Sequence, residues 1–288
     1  MYHDQFLIPP GKKVKLKNHP ADFSEPFKSK ADAAEKLQAD VARLAEMQSK
    51  LYAQNTYALL IILQGIDAAG KDSTIKHVMS GASPLGCSVT DFKVPSAEEL
   101  DHDYLWRYTR AMPERGGIGI FNRSYYEEVL VVRVHPELLA KQHIPHPDKL
   151  SKLWPVRYRE MNELESYLKH NGVEILKFFL HVSKEEQRQR FLARLESPDK
   201  NWKFSENDVR ERAFWDDYVE AFEDMLSNTS TEQAPWYVIP ADHKWFAHVS
   251  VADIVVQRLI ALKLDWPRLD DAQKTSLEAA KLLLLNEK

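Results

Sequence analysis

Lys71 stands directly behind Gly70 in the run Gly65-Ile66-Asp67-Ala68-Ala69-Gly70-Lys71-Asp72-Ser73, and the apolar stretch Ala58-Leu59-Leu60-Ile61-Ile62-Leu63 leads into it. An apolar run, a turn bounded by glycines, then lysine and helix-forming residues is the layout that folds backbone N–H groups around a phosphate. The glycines let the chain curl. The helix that follows turns its positive end toward the anion. Gly65, Ala68, Ala69, Gly70 and Ser73 are therefore candidate phosphate or nucleotide contacts. Lys71 brings a mobile ammonium to a phosphate that is being moved.

The spacing Gly-x-x-x-x-Gly-Lys is usually followed by Ser or Thr, whose hydroxyl binds Mg²⁺. Here Asp72 follows, and a second carboxylate, Asp67, lies inside the turn. Two carboxylates beside a polyanion repel it unless a cation lies between them. Mg²⁺ is commonly held by one or two carboxylates together with phosphate oxygens and water. Asp67 and Asp72 are thus the candidate metal ligands. The plainer alternative is that both only cap N–H groups at a helix start.

A second set of candidates follows the apolar segment 117–121. Phe121-Asn122-Arg123-Ser124 puts Asn122 where many phosphate-loop enzymes carry a metal-binding Asp. An amide adds no charge, so the metal falls to Asp67 and Asp72. Arg123 offers a planar fork suited to bidentate phosphate contact, and Arg133 is a further candidate; either can instead serve a structural salt bridge. The stretch from Arg188 to Arg212 carries Arg190, Arg194, Lys200, Lys203 and Arg210, with Pro198 and Asn201 breaking its helix. A basic helix–loop–helix can close as a lid that excludes water and neutralises charge. It can equally be a solvated hairpin. After Ser205, Asp208 sits where a capping box would put it.

These residues need a scaffold. Strands are predicted at 57–64, 88–93, 117–121, 174–181 and 236–240. Helices are predicted after Lys71, over Ser96–Met112, Tyr125–Val132, Lys149–His170, Lys184–Glu196 and Glu206–Leu226. The alternation implies an α/β fold with a mainly parallel sheet covered on both faces. Ligands of such sheets bind at the carboxyl ends of the strands, where Gly65 falls. Before the core, Leu37, Val41, Leu44, Met47 and Leu51 mark an amphipathic helix over about 31–54. The lysine-rich first 28 residues read as an extended arm, either a solvated tail or a phosphate contact. The last segment, about 270–288, is helical and ends in four leucines, which suggests a packed or intersubunit helix. One domain is expected: arm and helix 1–56, core 57–265 with its lid at about 184–212, and tail 266–288.

Composition excludes several classes. The chain of 288 residues is 44% hydrophobic and 28% charged, with net charge −4. That is an ordinary globular balance without the global positive charge of a nucleic-acid binder. A single cysteine, Cys87, rules out an internal disulfide and a cysteine-based zinc site. No leader and no membrane-length apolar run is visible, so the expected setting is cytoplasmic, with no membrane partner. The eleven histidines show no persuasive metal-ligand spacing. No Asn-Lys-x-Asp segment, which a guanine-reading switch would need, occurs.

Together the motifs resemble the polyphosphate kinase 2 family. The matching pieces are the run from Gly65 to Ser73, Phe92-Lys93-Val94-Pro95-Ser96 with Leu105-Trp106-Arg107, Phe121-Asn122-Arg123-Ser124-Tyr125-Tyr126-Glu127, Trp202-Lys203-Phe204-Ser205 with Asp208, and Pro235-Trp236-Tyr237-Val238-Ile239-Pro240-Ala241-Asp242. They span roughly residues 8 to 265. The resemblance implies a P-loop kinase fold, thymidylate-kinase-like, with a five-stranded parallel sheet and a helical lid. It implies Mg²⁺ (Mn²⁺ as substitute) and reversible phosphoryl transfer between inorganic polyphosphate and AMP/ADP or GMP/GDP, in a homo-oligomer. Carried over by position, Asp67 and Asp72 hold metal and orient the acceptor, Lys71 and Arg123 contact phosphate, Lys93 joins the phosphate or nucleotide contacts, and the basic residues of 188–212 form the lid. Glu127 resembles the subgroup that accepts both mono- and diphosphates. The competing readings are an ATP-dependent nucleotide kinase on the same fold and a non-catalytic polyphosphate-binding protein.

Overall fold

The computed structural model describes residues 2–145, 150–199, 201–203 and 205–287. In chain order the elements are α1 (Lys30–Gln54), β1 (Ala58–Gln64), α2 (Lys71–Val78), β2 (Cys87–Asp91), α3 (Ala97–Leu100), α4 (Trp106–Thr109), β3 (Ile118–Asn122), α5 (Val131–Val134), α6 (Leu150–His170), β4 (Val173–His181), α7 (Lys184–Glu196), α8 (Glu206–Glu211), α9 (Trp215–Thr229), β5 (Trp236–Pro240), α10 (Lys244–Ala261) and α11 (Asp271–Leu285).

All five strands run parallel in the order β2-β3-β1-β4-β5. The run that leads into the phosphate loop is therefore the central strand, buried along its whole length. Its residues alternate between two cores. Leu59, Ile61 and Leu63 pack with α1 and α10 residues on one face; Ala58, Leu60 and Ile62 pack with residues of α6 and α9 on the other. Burial on both faces is what makes the strand apolar at every position instead of every second one. The crossover helices and the strand order are those of a P-loop kinase, and they carry Gly65 and Arg123 to the carboxyl edge of the sheet.

The five predicted strands all form, with ends shifted by a residue or two. Three predicted helices are corrected. Over Ser96–Met112 there are two single turns, α3 and α4. Ser96 and Glu99 form a capping box that starts the first, with Glu99 Oε2 accepting from Ser96 N at 2.7 Å. Asp103 Oδ1 then accepts from Leu105 N at 2.9 Å, and this local bond redirects the chain. Over Tyr125–Val132 the chain makes a 3₁₀ helix, Tyr125–Val129, and leaves helical geometry at Leu130 before α5. Over Glu206–Leu226 a tight turn at Arg212–Phe214 separates α8 from α9; Arg212 there donates to Lys184 O at 3.1 Å and to Gln187 Oε1. Lys149 lies outside the described residues.

The N-terminal arm is not a solvated tail. Leu7 bridges Tyr237 in antiparallel sense, and Ile8 N donates to Trp236 O at 2.9 Å. Phe6, Ile8, Val14 and Leu16 are buried. The arm thus covers the β5 edge, which would otherwise expose unpaired backbone. Lys15 pairs with Glu223 of α9 at 2.6 Å. At the other end, α11 buries none of its residues in the single chain, and Leu282 to Leu285 are 60–72% exposed. Among the described residues no helix is long and apolar enough to cross a membrane.

Candidate active site

Two positions show why the loop needs glycine. A Cβ on Gly65 would lie 2.9 Å from Ala69 Cβ and 3.0 Å from Leu180 O, and Gly70 has φ +107°. Between them Ala68 takes φ +62°, a left-handed conformation that alanine rarely adopts. Outside partners secure this shape. Arg190 of α7 donates Nη1 to Ala68 O and Ala69 O, both at 2.9 Å. Its Nη2 reaches Ala241 O and Asp242 O, and its Nε reaches Glu186 Oε1 at 2.8 Å. Gln187 Nε2 donates to Asp67 O at 2.9 Å. The carbonyls of Asp67, Ala68 and Ala69 are thus engaged by α7.

Lys71 is 8% exposed and folds back, donating to Gly65 O at 2.7 Å and Ile66 O at 3.4 Å. Burial first, and then the Arg123 charge, pull its ammonium down to about 8, against the opposing pull of Asp67, Glu127 and Asp72. A polyanion in the loop would add negative charge beside the ammonium and favour its charged form.

Arg123 follows β3 with φ +66°, and its N–H bonds Leu63 O of the central strand at 3.0 Å. This left-handed residue turns the guanidinium across the loop. Nη2 donates to Asp67 Oδ1 and Nη1 to Glu127 Oε2 at 2.9 Å. The Glu127 charge first, then Asp67, raise its affinity for its proton further, against the cost of burial. Gln64, the last residue of β1 and fully buried, closes the circle. Its amide donates to Glu127 Oε1 at 2.9 Å and accepts from Ser124 N at 3.0 Å, an orientation assigned from this network. Asn122 Nδ2 donates to Asp72 Oδ1 at 2.9 Å, while Asn122 Oδ1 is buried without a hydrogen-bond partner.

The structure therefore brings Asp67, Lys71, Asp72, Asn122, Arg123 and Glu127 together around the loop. Other candidates point elsewhere. The Ser73 hydroxyl lies 3.1 Å from His248 Nε2. Arg133 is held by Tyr158 at 2.9 Å and Asp224 at 2.8 Å, in the structural ion-pair role left open above. Lys93 is a surface side chain 3.8 Å from Asp91. Of the lid set, Arg190 is a buried brace of the loop, Arg194 pairs with Asp208 at 3.2 Å, and Arg210 is exposed beside Glu206. Lys200 lies outside the described residues, as does the side chain of Lys203. Asp208 makes no capping box, since Ser205 accepts from Asn207 N. Burial first, and then the nearby Asp67 charge, raise the Asp208 carboxyl above its ordinary value. Gln64 and Gln187 were missed; the one available signal was a polar residue ending the wholly apolar strand that feeds the loop.

These contacts divide the helical pair into a fixed base and an outer part. Gln187 and Arg190 bond the start of α7 to the loop, whereas α8 is tied through Asp208 to Arg194 of α7. Hydrogen exchange in 184–190 is expected to be slow without ligands. Exchange in 191–199 and 205–211 is expected to slow on saturation with nucleotide and polyphosphate. Unchanged protection there would make the region a static hairpin.

A sequence model of the polyphosphate kinase 2 family matches residues 27–265. The chain is 50% identical over 274 residues to the ADP-polyphosphate phosphotransferase of Rhodopseudomonas palustris, covering 95% of each. It is 42% identical to the AMP/ADP-polyphosphate phosphotransferase of Meiothermus ruber, covering 94% of this chain and 97% of that one. The crystal structure of polyphosphate kinase 2 from Arthrobacter aurescens TC1 superimposes with a TM-score of 0.86 at 38% identity, over 96% of each chain.

Proposed function

The chain belongs to the polyphosphate kinase 2 family, and we propose that it moves a phosphoryl group between inorganic polyphosphate and a nucleotide. The observation that carries this reading at the level of chemistry is one cluster: a phosphate loop with Lys71, faced by the Arg123 guanidinium between two carboxylates. The acceptor's terminal phosphate oxygen forms the new P–O bond as the bridging P–O bond to the polyphosphate breaks. Such an oxygen is already anionic, so no strong general base is needed; positioning and charge neutralisation do the work. Lys71 and the loop N–H groups bind the phosphate that departs with the donor. Arg123 steadies the charge on the group in transit.

Phosphoryl transfer of this kind uses a divalent cation, which draws charge from the phosphate oxygens. Among the described residues no three carboxylate, imidazole or thiol groups form a complete metal centre. Asp67, Asp72 and the unpartnered Asn122 Oδ1 are hard oxygen donors, which fits Mg²⁺ or Mn²⁺ completed by phosphate and water.

We read Glu127 as a determinant of acceptor range. Clamped by Arg123 and Gln64, it holds charge beside the acceptor end of the site, where a monophosphate leaves one phosphate position empty. Incubation with polyphosphate and Mg²⁺, offering AMP, ADP, GMP and GDP separately, is expected to give the next higher nucleotide in each case. Glu127→Asn is expected to lower kcat/KM for AMP severalfold more than for ADP. A wild-type enzyme that leaves AMP unphosphorylated would be diphosphate-specific, and this reading of Glu127 would fall.

A further inference from the structure

The most deeply buried ion pair among the described residues is Lys177–Glu165, at 2.7 Å with side chains 0% and 1% exposed, and no step described above uses it. Lys177 lies inside β4 and Glu165 on α6. The ammonium has three donors, and each meets a different element. It donates to Glu165 Oε2 at 2.7 Å, to Thr229 O at the end of α9 at 2.6 Å, and to the Tyr126 hydroxyl at 2.9 Å. It also lies 5.2 Å from the ring centres of Tyr126 and of Trp236 on β5. The other carboxylate oxygen, Glu165 Oε1, accepts from the hydroxyls of Tyr125 and Tyr126, both at 2.7 Å.

Tyr125 and Tyr126 stand between Arg123 and Glu127 in the chain. That segment has little to hold it locally. Arg123 has φ +66°, and the turn after it is a short 3₁₀ helix, whose hydrogen bonds have poorer geometry than those of an α-helix. The two tyrosines are wholly buried, and one carboxylate oxygen pins the far ends of both. Stability alone does not call for such a network, since replacing a buried ion pair by packed apolar side chains is often neutral or stabilising. What directional bonds add is placement. A misplacement of about 1 Å at a reacting group can cost about a hundredfold in rate.

We propose that the Lys177–Glu165 pair is a positioning element for the transfer step, fixing through the Tyr125 and Tyr126 hydroxyls the short turn that presents Arg123 and Glu127. This rests on the roles given to those two residues above and adds what holds them from behind. Buried as it is, the pair touches no substrate. Its effect therefore falls on turnover, leaves the binding of donor and acceptor little changed, and acts largely through Arg123.

The test is a mutant cycle on the full chain with polyphosphate, ADP and Mg²⁺. Tyr125→Phe/Tyr126→Phe keeps both rings and the ion pair and removes the two hydroxyls. It is expected to lower kcat about tenfold, with the KM values for polyphosphate and ADP little changed and the fold intact by circular dichroism. In an Arg123→Ala background the same two substitutions are expected to change kcat by less than about twofold, because the group they place is gone. A wild-type kcat in the folded double variant, or an equal loss in both backgrounds, would overturn the proposal; the second result would make the network a general support of the fold. If the double variant does not fold, Tyr125→Phe alone decides by the same cycle, since it leaves every bond of Lys177 in place. A wild type that moves no phosphate from polyphosphate to ADP would instead sink the reading of the site, and the proposal with it.

Discussion

Arg123→Ala is expected to lower kcat/KM for transfer from polyphosphate to ADP by about a thousandfold or more, the scale seen when an arginine is withdrawn from a transferring phosphoryl group. Its guanidinium joins the phosphate loop, through Asp67, to the segment after β3, through Glu127. Its removal leaves Asp67 and Glu127 without the guanidinium that joins them and neutralises part of their charge. Both effects fall on the transition state, where charge spreads over the moving group. The loss should therefore appear mainly in kcat. Arg123→Lys is expected to recover little, because an ammonium cannot bridge Asp67 and Glu127 as a planar fork does. Thermal unfolding of both variants should stay close to wild type, since the side chain of Arg123 is 29% exposed and lies at the rim of the core. A loss below about tenfold would remove Arg123 from the transfer step.

The parts that were legible in the sequence are those whose signal is contiguous. The loop from Gly65 to Lys71 encodes its shape in its own glycines, and β1 announces itself through the unbroken apolar run Ala58-Leu59-Leu60-Ile61-Ile62-Leu63. The strand ends placed Arg123 beside the loop because a parallel sheet brings its carboxyl ends to one edge. What could not be read depends on partners far apart in the chain. Arg190 looked like a lid residue because its sequence neighbours are basic. In the structure its donors meet carbonyls of Ala68, Ala69, Ala241 and Asp242, and only tertiary structure brings those together. Arg133 was ambiguous for the same reason, since Asp224 lies on α9. The single helix expected over Ser96–Met112 failed differently. Helix-forming composition was outweighed by a local bond from Asp103, a residue whose side chain competes with the backbone.

Asp67→Asn and Asp72→Asn are each expected to reduce turnover by about a hundredfold or more, with the half-saturating Mg²⁺ concentration rising in both. The substitutions keep shape and remove charge. An asparagine at 72 can still accept from Asn122 Nδ2, as Asp72 Oδ1 does at 2.9 Å, so the side chain should stay in place. The loss at 72 then reports the missing charge alone. At 67 two things change together. The metal loses a carboxylate, and Arg123 loses half of its clamp, so Asp67→Asn should be the worse variant at saturating Mg²⁺. The neighbouring Asp208 gives a second readout at the same place. Its carboxyl is raised partly by the Asp67 charge, and it should move back toward its ordinary value in Asp67→Asn but not in Asp72→Asn. Neither change should unfold the protein, since Asp72 is exposed and the Asp67 side chain is 33% exposed. The measurement is initial rate against Mg²⁺ concentration at fixed polyphosphate and ADP. Near-normal turnover of both variants at saturating Mg²⁺ would mean that the carboxylates only cap the helix start, and the cation would have to be held by the phosphates alone.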